Sequence, residues 1–177
     1  MKRPEDGSLP PAVIEGPGVR LRRVRPEDRS DLAAVLGQPG VARWWSPGGP
    51  EEAVKYLYGE DDVGYVIEEN GQIAGAVSYS EQVEPDYECA SIDIFLGDAF
   101  QGRGLGPAAI RTLAQYLLEV RGHHRLTIDP AVANEAAIRA YEKVGFRRVG
   151  VMRSYERGPD GTWHDNLLMD LLAGELR

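Results

Sequence analysis

The sequence is poor in cysteine, in lysine and in long apolar runs. Cys89 is the only cysteine in 177 residues, so an intramolecular disulfide and a multi-cysteine metal site are both ruled out. A lone cysteine is ordinarily a small apolar side chain, and no metal is expected. No apolar run approaches the roughly 20 residues that a bilayer-spanning helix needs. Met1-Lys2-Arg3-Pro4-Glu5-Asp6 lacks the apolar core of a signal peptide. The expectation is a cytoplasmic protein with no membrane partner. Positive charge is scarce as well: 20 Lys and Arg against 28 Asp and Glu leave a formal net charge of −8. That balance argues against nucleic-acid phosphates as a partner and favours a cationic small molecule. The basic residues are overwhelmingly Arg, a compositional bias that carries no mechanism.

What is present suffices for one cored domain, since 42% of the residues are hydrophobic. Residues 1–18, rich in Pro, Gly and charge, show no sustained apolar period and are expected to form a flexible arm ahead of a folded domain over 19–177. Alternation predicts a strand over 19–24, and Pro26-Glu27-Asp28 leads into a short helix over 31–36. Residues 37–50 form a Gly/Pro-rich loop interrupted by Arg43-Trp44-Trp45, followed by one or two helical turns over 51–58. Asn70-Gly71 lies between two apolar runs, the signature of a tight hairpin, and a third strand is expected over 90–96. Ile110, Leu113, Leu117 and Val120 recur every three or four positions, predicting a helix over 106–120 with one buried face. A strand over 125–128, a helix over 134–144 ended by Gly145, and a hairpin turning at 158–161 complete the chain. This order describes a single mixed sheet with flanking helices, an α/β (α+β) fold. Nothing in it distinguishes a monomer from a homodimer.

The segment with the most chemistry is Ser91-Ile92-Asp93-Ile94-Phe95-Leu96, then Gln101-Gly102-Arg103-Gly104-Leu105-Gly106-Pro107 opening the amphipathic helix. Glycines let backbone N–H groups approach a pyrophosphate, and a helix N-terminus adds unsatisfied donors and a favourable dipole. A plain glycine-rich turn before a helix has the same composition. Two other phosphate-binding patterns are absent: there is no Gly-x-x-x-x-Gly-Lys-Ser/Thr loop, and Gly102, Gly104 and Gly106 have the wrong spacing for a dinucleotide fingerprint.

Gln101-Gly102-Arg103-Gly104-Leu105-Gly106 resembles the Gln/Arg-x-x-Gly-x-Gly/Ala signature by which GNAT acetyltransferases hold acetyl-CoA. Downstream, Asn134-Glu135-Ala136-Ala137-Ile138-Arg139-Ala140-Tyr141-Glu142-Lys143-Val144-Gly145-Phe146 resembles the family's Asn-x-x-Ala-x-x-x-Tyr-x-Lys-x-Gly-Phe element. The resemblance runs from about Leu21 to the C-terminal hairpin. It implies a GNAT fold whose splayed strand pair binds acetyl-CoA. Backbone N–H groups around Phe95 and Leu96 would polarise the acetyl carbonyl. Gln101, Gly102, Arg103, Gly104, Leu105, Gly106 and Pro107 would hold the pyrophosphate, and Asn134, Tyr141 and Lys143 would complete the coenzyme site. Taken alone, Asn134 also reads as a helix N-cap and Tyr141 as a core aromatic.

Direct transfer needs a base for the ammonium proton and an acid for the departing thiolate. The resemblance makes Asp93 the base and Tyr141 the acid, although Asp93 alone could equally be a solvated strand residue. A route through Cys89 has no marked base beside it. Within the family, the Ile92-Asp93 pair, Asp129-Pro130 and Trp44-Trp45 are similar to features of the aminoglycoside 6′-N-acetyltransferases. That likeness implies 6′-amine acetylation, a resistance activity, with Asp93 and Asp129 binding amines of a polycationic sugar. Trp44, Trp45, Tyr65 and Tyr79 would line the same site. Adjacent Trp residues in such a loop could instead anchor it to the core.

Glu81, Glu84, Asp86 and Glu88 form an acidic stretch that could line that site or be a solvated loop; members of this group can carry a longer segment here with additional Trp. The alternatives are an acetyltransferase for siderophore hydroxylysine or another small amine, one for a protein amine, and a non-catalytic acetyl-CoA sensor. A substrate carboxylate would call for a cation, for which His164 or an Arg near the last hairpin is available.

Overall fold

Period-two alternation turns the first half of the chain into an antiparallel meander. The computed structural model describes residues 9–45 and 48–177. β1 (Val13–Gly16) and β2 (Val19–Arg23) form a hairpin, and β3 (Asp62–Glu69), β4 (Gln72–Gln82) and β5 (Cys89–Leu96) continue it. β6 (Arg125–Ile128) lies parallel to β5, and β7 (Arg147–Arg157) and β8 (Trp163–Leu172) close an eight-stranded mixed sheet of order β1-β2-β3-β4-β5-β6-β8-β7. The turn between β3 and β4 is set by Asn70 and Gly71, both at positive φ, as a primed hairpin turn requires.

Helices cover both faces. On one lie α1 (Arg29–Leu36), α2 (Pro39–Ala42), α3 (Pro50–Ala53) and a 3₁₀ turn (Val54–Tyr58), with Leu32, Leu36, Val54 and Leu57 buried against Val66, Ala76 and Phe95. On the other lie α4 (Leu105–Gln115) and α5 (Glu135–Val144), with Ile110, Leu113, Ile138 and Val144 in one cluster with Val77, Ile92 and Leu126. Alternate residues of each strand feed the two cores in turn, so β3 is buried on both faces over 64–67 and β4 over 74–79. The chain enters α1 through a buried ion pair: Arg22 donates to both oxygens of Asp28, at 2.9 and 3.0 Å, and to Glu68 at 2.8 Å. No helix among the described residues is long and apolar enough to cross a membrane.

Two expectations need correction. The folded part begins before residue 19: β1 pairs with β2, and Gly16 lies so close to Thr112 of α4 that a Cβ there would meet the Thr112 hydroxyl at 1.9 Å. The Pro/Gly content that reads as an arm instead marks a hairpin turn and a tight strand-to-helix approach; residues 1–8 of that arm lie outside the described residues. The long helix expected over 106–120 changes to a π turn at Tyr116–Val120, which shifts the helical phase and leaves Val120 53% exposed.

β5 is paired along its length on one side only. β4 and β5 run together for eight residue pairs, ending at Gly75 opposite Leu96. A Cβ on Gly75 would lie 2.1 Å from the Phe95 carbonyl oxygen. We therefore expect Gly75→Ala to destabilise the fold by roughly 2 kcal/mol or more, read as a lower denaturant midpoint. A variant as stable as the parent would mean that β4 and β5 separate there at no cost.

Candidate active site

Two parallel strands that diverge leave room for a ligand between them. β5 and β6 pair only at Ala90 with Leu126 and Ser91 with Thr127. At that last shared rung the Ser91 and Thr127 hydroxyls are hydrogen-bonded at 2.8 Å. Two residues further on stand Asp93, on β5 and on the side to which Ser91 points, and Asp129, just past the end of β6. Each carboxylate thus occupies one lip of the split. A cleft of about 460 Å³ opens there, lined by Asp93, Phe95 and Leu96 from β5, by Asp129 after β6, and by residues of α4 and α5. Trp45 from one face of the sheet and Ile110 from the other both line it, so the cleft passes through the sheet at the split.

One end of the cleft is built from helix N-termini. Gly102 and Gly104 have φ of +72° and +84°, and nothing lies within 4 Å of a Cβ at either, so the requirement for glycine is conformational. Gly104 is the N-cap of α4, and the Ala108 N–H closes the first turn onto its carbonyl. The N–H groups of Leu105 and Gly106 precede that bond, while Pro107 has none to satisfy. Gln101 donates its side-chain amide to the Leu96 carbonyl at 2.8 Å, tying the loop to the end of β5. Asn134 caps α5 by accepting the Ala137 N–H at 3.2 Å, which leaves its amide nitrogen without a partner among the described residues. Gln101, Gly102, Gly104, Gly106, Pro107, Asn134 and Lys143 all line the cleft. Lys143 makes no ion pair among the described residues. The unsatisfied N–H groups, the open glycine backbone and these side chains fit a phosphate-bearing coenzyme. Two residues of the motif turn their side chains away: Arg103 pairs with Glu69 at 3.0 Å, and Leu105 is buried in the core.

The opposite end is acidic. Asp93 is open to the cleft, yet the surrounding walls displace enough water to push its carboxyl up to about 7, with Asp129, Asp62 and Glu156 adding repulsion. Asp129 is raised by burial and by Glu156. Tyr141 is 8% exposed, its ring tilts against Phe146 at 6.4 Å, and its hydroxyl has no hydrogen bond among the described residues. Burial, then Asp93 and Asp129, push the phenol well above its ordinary value. The cleft therefore combines a carboxylate that ionises near neutrality with a phenol that keeps its proton, the properties wanted of a general base and a general acid. Among the described residues no group of three or more His, Cys, Asp or Glu is placed to hold a metal ion.

Trp44 and Trp45 both line the cleft. Trp45 stacks on Tyr56 and meets Phe95 edge-on, each at 5.4 Å, while Arg43 lies over Trp44 at 4.8 Å. Their loop is held by Asp98, whose N–H donates to Gln38 at 2.7 Å and whose carboxylate accepts from Gly40 N–H at 3.3 Å. Anchoring and wall-forming are thus one role. Residues 46 and 47 of this loop lie outside the described residues.

Tyr65 and Tyr79 do not reach the cleft. Ser78 opposes Asp93 and Tyr79 opposes Ile92, so the pleat sends both tyrosines to the α4 side of the sheet. There Tyr65 donates to the Pro11 carbonyl at 3.0 Å, and Tyr79 packs near Tyr116. The acidic stretch is also elsewhere: Glu81 binds Arg121 at 2.9 Å and His123 at 2.6 Å, and its carboxyl is held down at about 2 by the His123 hydrogen bond, then by Arg121, against the effect of burial. Glu84, Asp86 and Glu88 do not line the cleft. His164 bonds to Asp160 at 2.9 Å in the last turn, outside the cleft. Among the lining residues that went unmarked in the sequence is an acid, Glu156 of β7, because nothing local signals that this edge strand bends inward.

Comparison with known proteins follows the same lines. The family model Acetyltransferase (GNAT) domain matches residues 19–147. The chain is 31% identical to an aminoglycoside N(6′)-acetyltransferase type 1 of Klebsiella pneumoniae over 165 residues, covering 81% of this chain and 79% of that protein. It is 36% identical to a kanamycin resistance protein of Rhizobium radiobacter over 84 residues, 47% of this chain and 72% of that one. Its fold superposes on the structure of AAC(6′)-Ib in complex with ribostamycin and coenzyme A with a TM-score of 0.71 at 26% identity, covering 88% of this chain and 94% of that one.

The raised carboxyl of Asp93 has a measurable effect on stability. Its folded value of about 7 lies above the ordinary unfolded one, so the folded state retains a proton that the unfolded state releases. Stability from this group is full below the unfolded value and is lost as the pH rises through about 7. Asp93→Asn should therefore melt higher than the parent at pH ~8 and close to it at pH ~4. Melting curves that stay parallel across that range would remove the raised carboxyl.

Proposed function

This chain belongs to the GNAT acetyltransferase family, and from that premise we propose that it acetylates the 6′-amine of an aminoglycoside by direct attack on acetyl-CoA. The observation that carries the substrate reading is the acidic end of the cleft. Asp93 stands on β5 and Asp129 just after β6, neither has a cationic partner among the described residues, and a polycationic sugar would supply the missing charge. A substrate carboxylate would meet repulsion from these two acids, and His164, one candidate cation for it, is tied to Asp160 outside the cleft. The relatives named for aminoglycosides and kanamycin point the same way.

Acetyl-CoA supplies the activated acetyl thioester. The backbone of Gly102, Gly104 and Gly106 with the α4 N-terminus would hold its pyrophosphate, and Asn134 and Lys143 would steady the rest of the coenzyme. Backbone N–H groups at the end of β5, around Phe95 and Leu96, would face the developing negative charge, because β6 has already diverged from that edge. Asp93 accepts a proton from the bound ammonium, freeing the lone pair that attacks. Its carboxyl near 7 makes it a far better base than an ordinary aspartate while leaving a good share ionised at neutral pH. Tyr141 remains a phenol at the working pH and donates its proton to the departing sulfur. Trp44 and Trp45 would form the apolar wall against a sugar ring.

The test is thiol release from acetyl-CoA with kanamycin, hydroxylysine, spermidine and a basic peptide, the acetylated position being located by NMR. Acetylation at the 6′-amine of kanamycin is expected. Turnover of the other amines alone would overturn the aminoglycoside assignment and leave the family membership standing. Asp93→Asn and Tyr141→Phe should each lower kcat by roughly a hundredfold or more, with coenzyme A affinity retained in calorimetry. Unchanged kcat in either variant would remove that residue from its role.

A further inference from the structure

We propose that Glu156 recognises a second ammonium group on the substrate, so that the cleft selects polyamines over monoamines. The inference rests on the reading of this cleft as an amine-acetylating site and adds a residue that neither the motifs nor the relatives single out. β7 is the outer strand of the sheet, and a regular edge strand would pass the cleft by. Between Met152 and Glu156 its register slips, four residues of β7 spanning two of β8. Ser154 sits at the centre of this bulge with φ +48°, a left-handed conformation uncommon for a residue with a side chain. Its N–H donates to the Asp165 carboxylate at 2.7 Å, so the bulge is held by a side chain of the neighbouring strand. Bulges re-aim side chains, and the consequence here is that Glu156 lines the cleft.

The carboxylate of Glu156 is then fixed from behind. Asn166, 2% exposed, donates its side-chain amide to Glu156 at 3.0 Å and to the Asp129 carbonyl at 2.9 Å. Its own Oδ1 has no partner, so the two acceptors set the orientation of the amide. The same segment of β8 is stitched to the chain after β6: the Leu167 N–H donates to the Pro130 carbonyl at 2.8 Å and the Val132 N–H to the Asp165 carbonyl at 2.9 Å. Asn166 is thus a positioning residue that locks Glu156 to the lip carrying Asp129.

What Glu156 lacks is a counter-ion. It forms no ion pair among the described residues, and only Oε2 is engaged by Asn166, which leaves Oε1 open. Asp93 and Asp129 are likewise without cations. The Tyr141 side chain, 8% exposed and with no hydrogen bond to its hydroxyl among the described residues, lines the same cleft. With Asp93 occupied by the reacting ammonium, Glu156 is placed to take another one.

Glu156→Gln keeps the shape and the acceptor for Asn166 while removing the charge. Binding to the coenzyme A-loaded protein is measured by calorimetry with kanamycin, with spermidine and with 6-amino-6-deoxyglucose, which carries one amine. The parent should bind at least one of the two polyamines more tightly than the monoamine. In Glu156→Gln that affinity should fall about tenfold to a hundredfold, with monoamine and coenzyme A affinities unchanged. Glu156→Asp, which keeps the charge, should recover part of the loss. A parent with no preference for polyamines, or a variant that keeps the preference or loses monoamine affinity equally, overturns the inference. Glu156-dependent binding of spermidine without binding of kanamycin would sustain it and defeat only the aminoglycoside reading.

Discussion

The parting of β5 from β6 is the constraint on which this protein depends. Parallel strands normally stay paired, because each buried N–H and C=O needs a partner. Here the pairing ends after Ser91 and Thr127, and the strands diverge with the hydroxyl bond between those two residues as the last stitch. Everything with chemical potential is arranged around the opening. Asp93 and Asp129 stand just beyond the stitch, the end of β5 is left with a free edge, and the loop into α4 brings a helix N-terminus up to it. Tight pairing of β5 with β4, reaching to Gly75 opposite Leu96, keeps β5 in place although its other neighbour has gone.

Charge is sorted along the cleft. Glycine backbone, the N-termini of α4 and α5, and Lys143 make one end attractive to an anion; Asp93, Asp129 and Glu156 make the other attractive to a cation. Burial first, and then the neighbouring carboxylates, raise the carboxyl of Asp93. Burial, with Asp93 and Asp129 adding to it, likewise keeps the Tyr141 phenol protonated. Elsewhere the protein pairs its buried charges, Arg22 with Asp28 and Glu68, and Glu81 with Arg121 and His123. The contrast separates carboxylates that are paired within the fold from those left without a protein cation among the described residues.

Much of this was legible along the chain because it is local. Asn70-Gly71 can make little other than a tight hairpin turn, Gly145 stops α5 at positive φ, and Asn134 caps the same helix with its own side chain. The glycines before α4 and the alternation around Asp93 likewise place themselves. Where the sequence misled, a non-local contact was responsible. Tyr65 and Tyr79 belong to a hairpin correctly anticipated, but which face of a strand meets the cleft depends on where β6 leaves β5. Glu81 could line the site or belong to a solvated loop on the sequence alone; Arg121 and His123, some 40 positions away, instead make it part of a salt-bridge cluster. The Pro/Gly-rich start became a strand because α4 offers Thr112 beside Gly16.

The sequence by itself determined the succession of strands and helices and the family motifs at 101–106 and 134–146, and with them the residues proposed as acid, base and coenzyme loop. Those features are encoded in residues close together, where backbone geometry and periodicity act without reference to the rest of the fold. Tertiary structure alone decided which acidic residues share a cleft, that two apparent site tyrosines are core, and that a bulge opposite Asp165 turns Glu156 inward. Pairing register and sheet divergence arise from contacts between segments far apart in the chain, and a charge acquires its function only from the neighbours that such contacts bring to it or keep away.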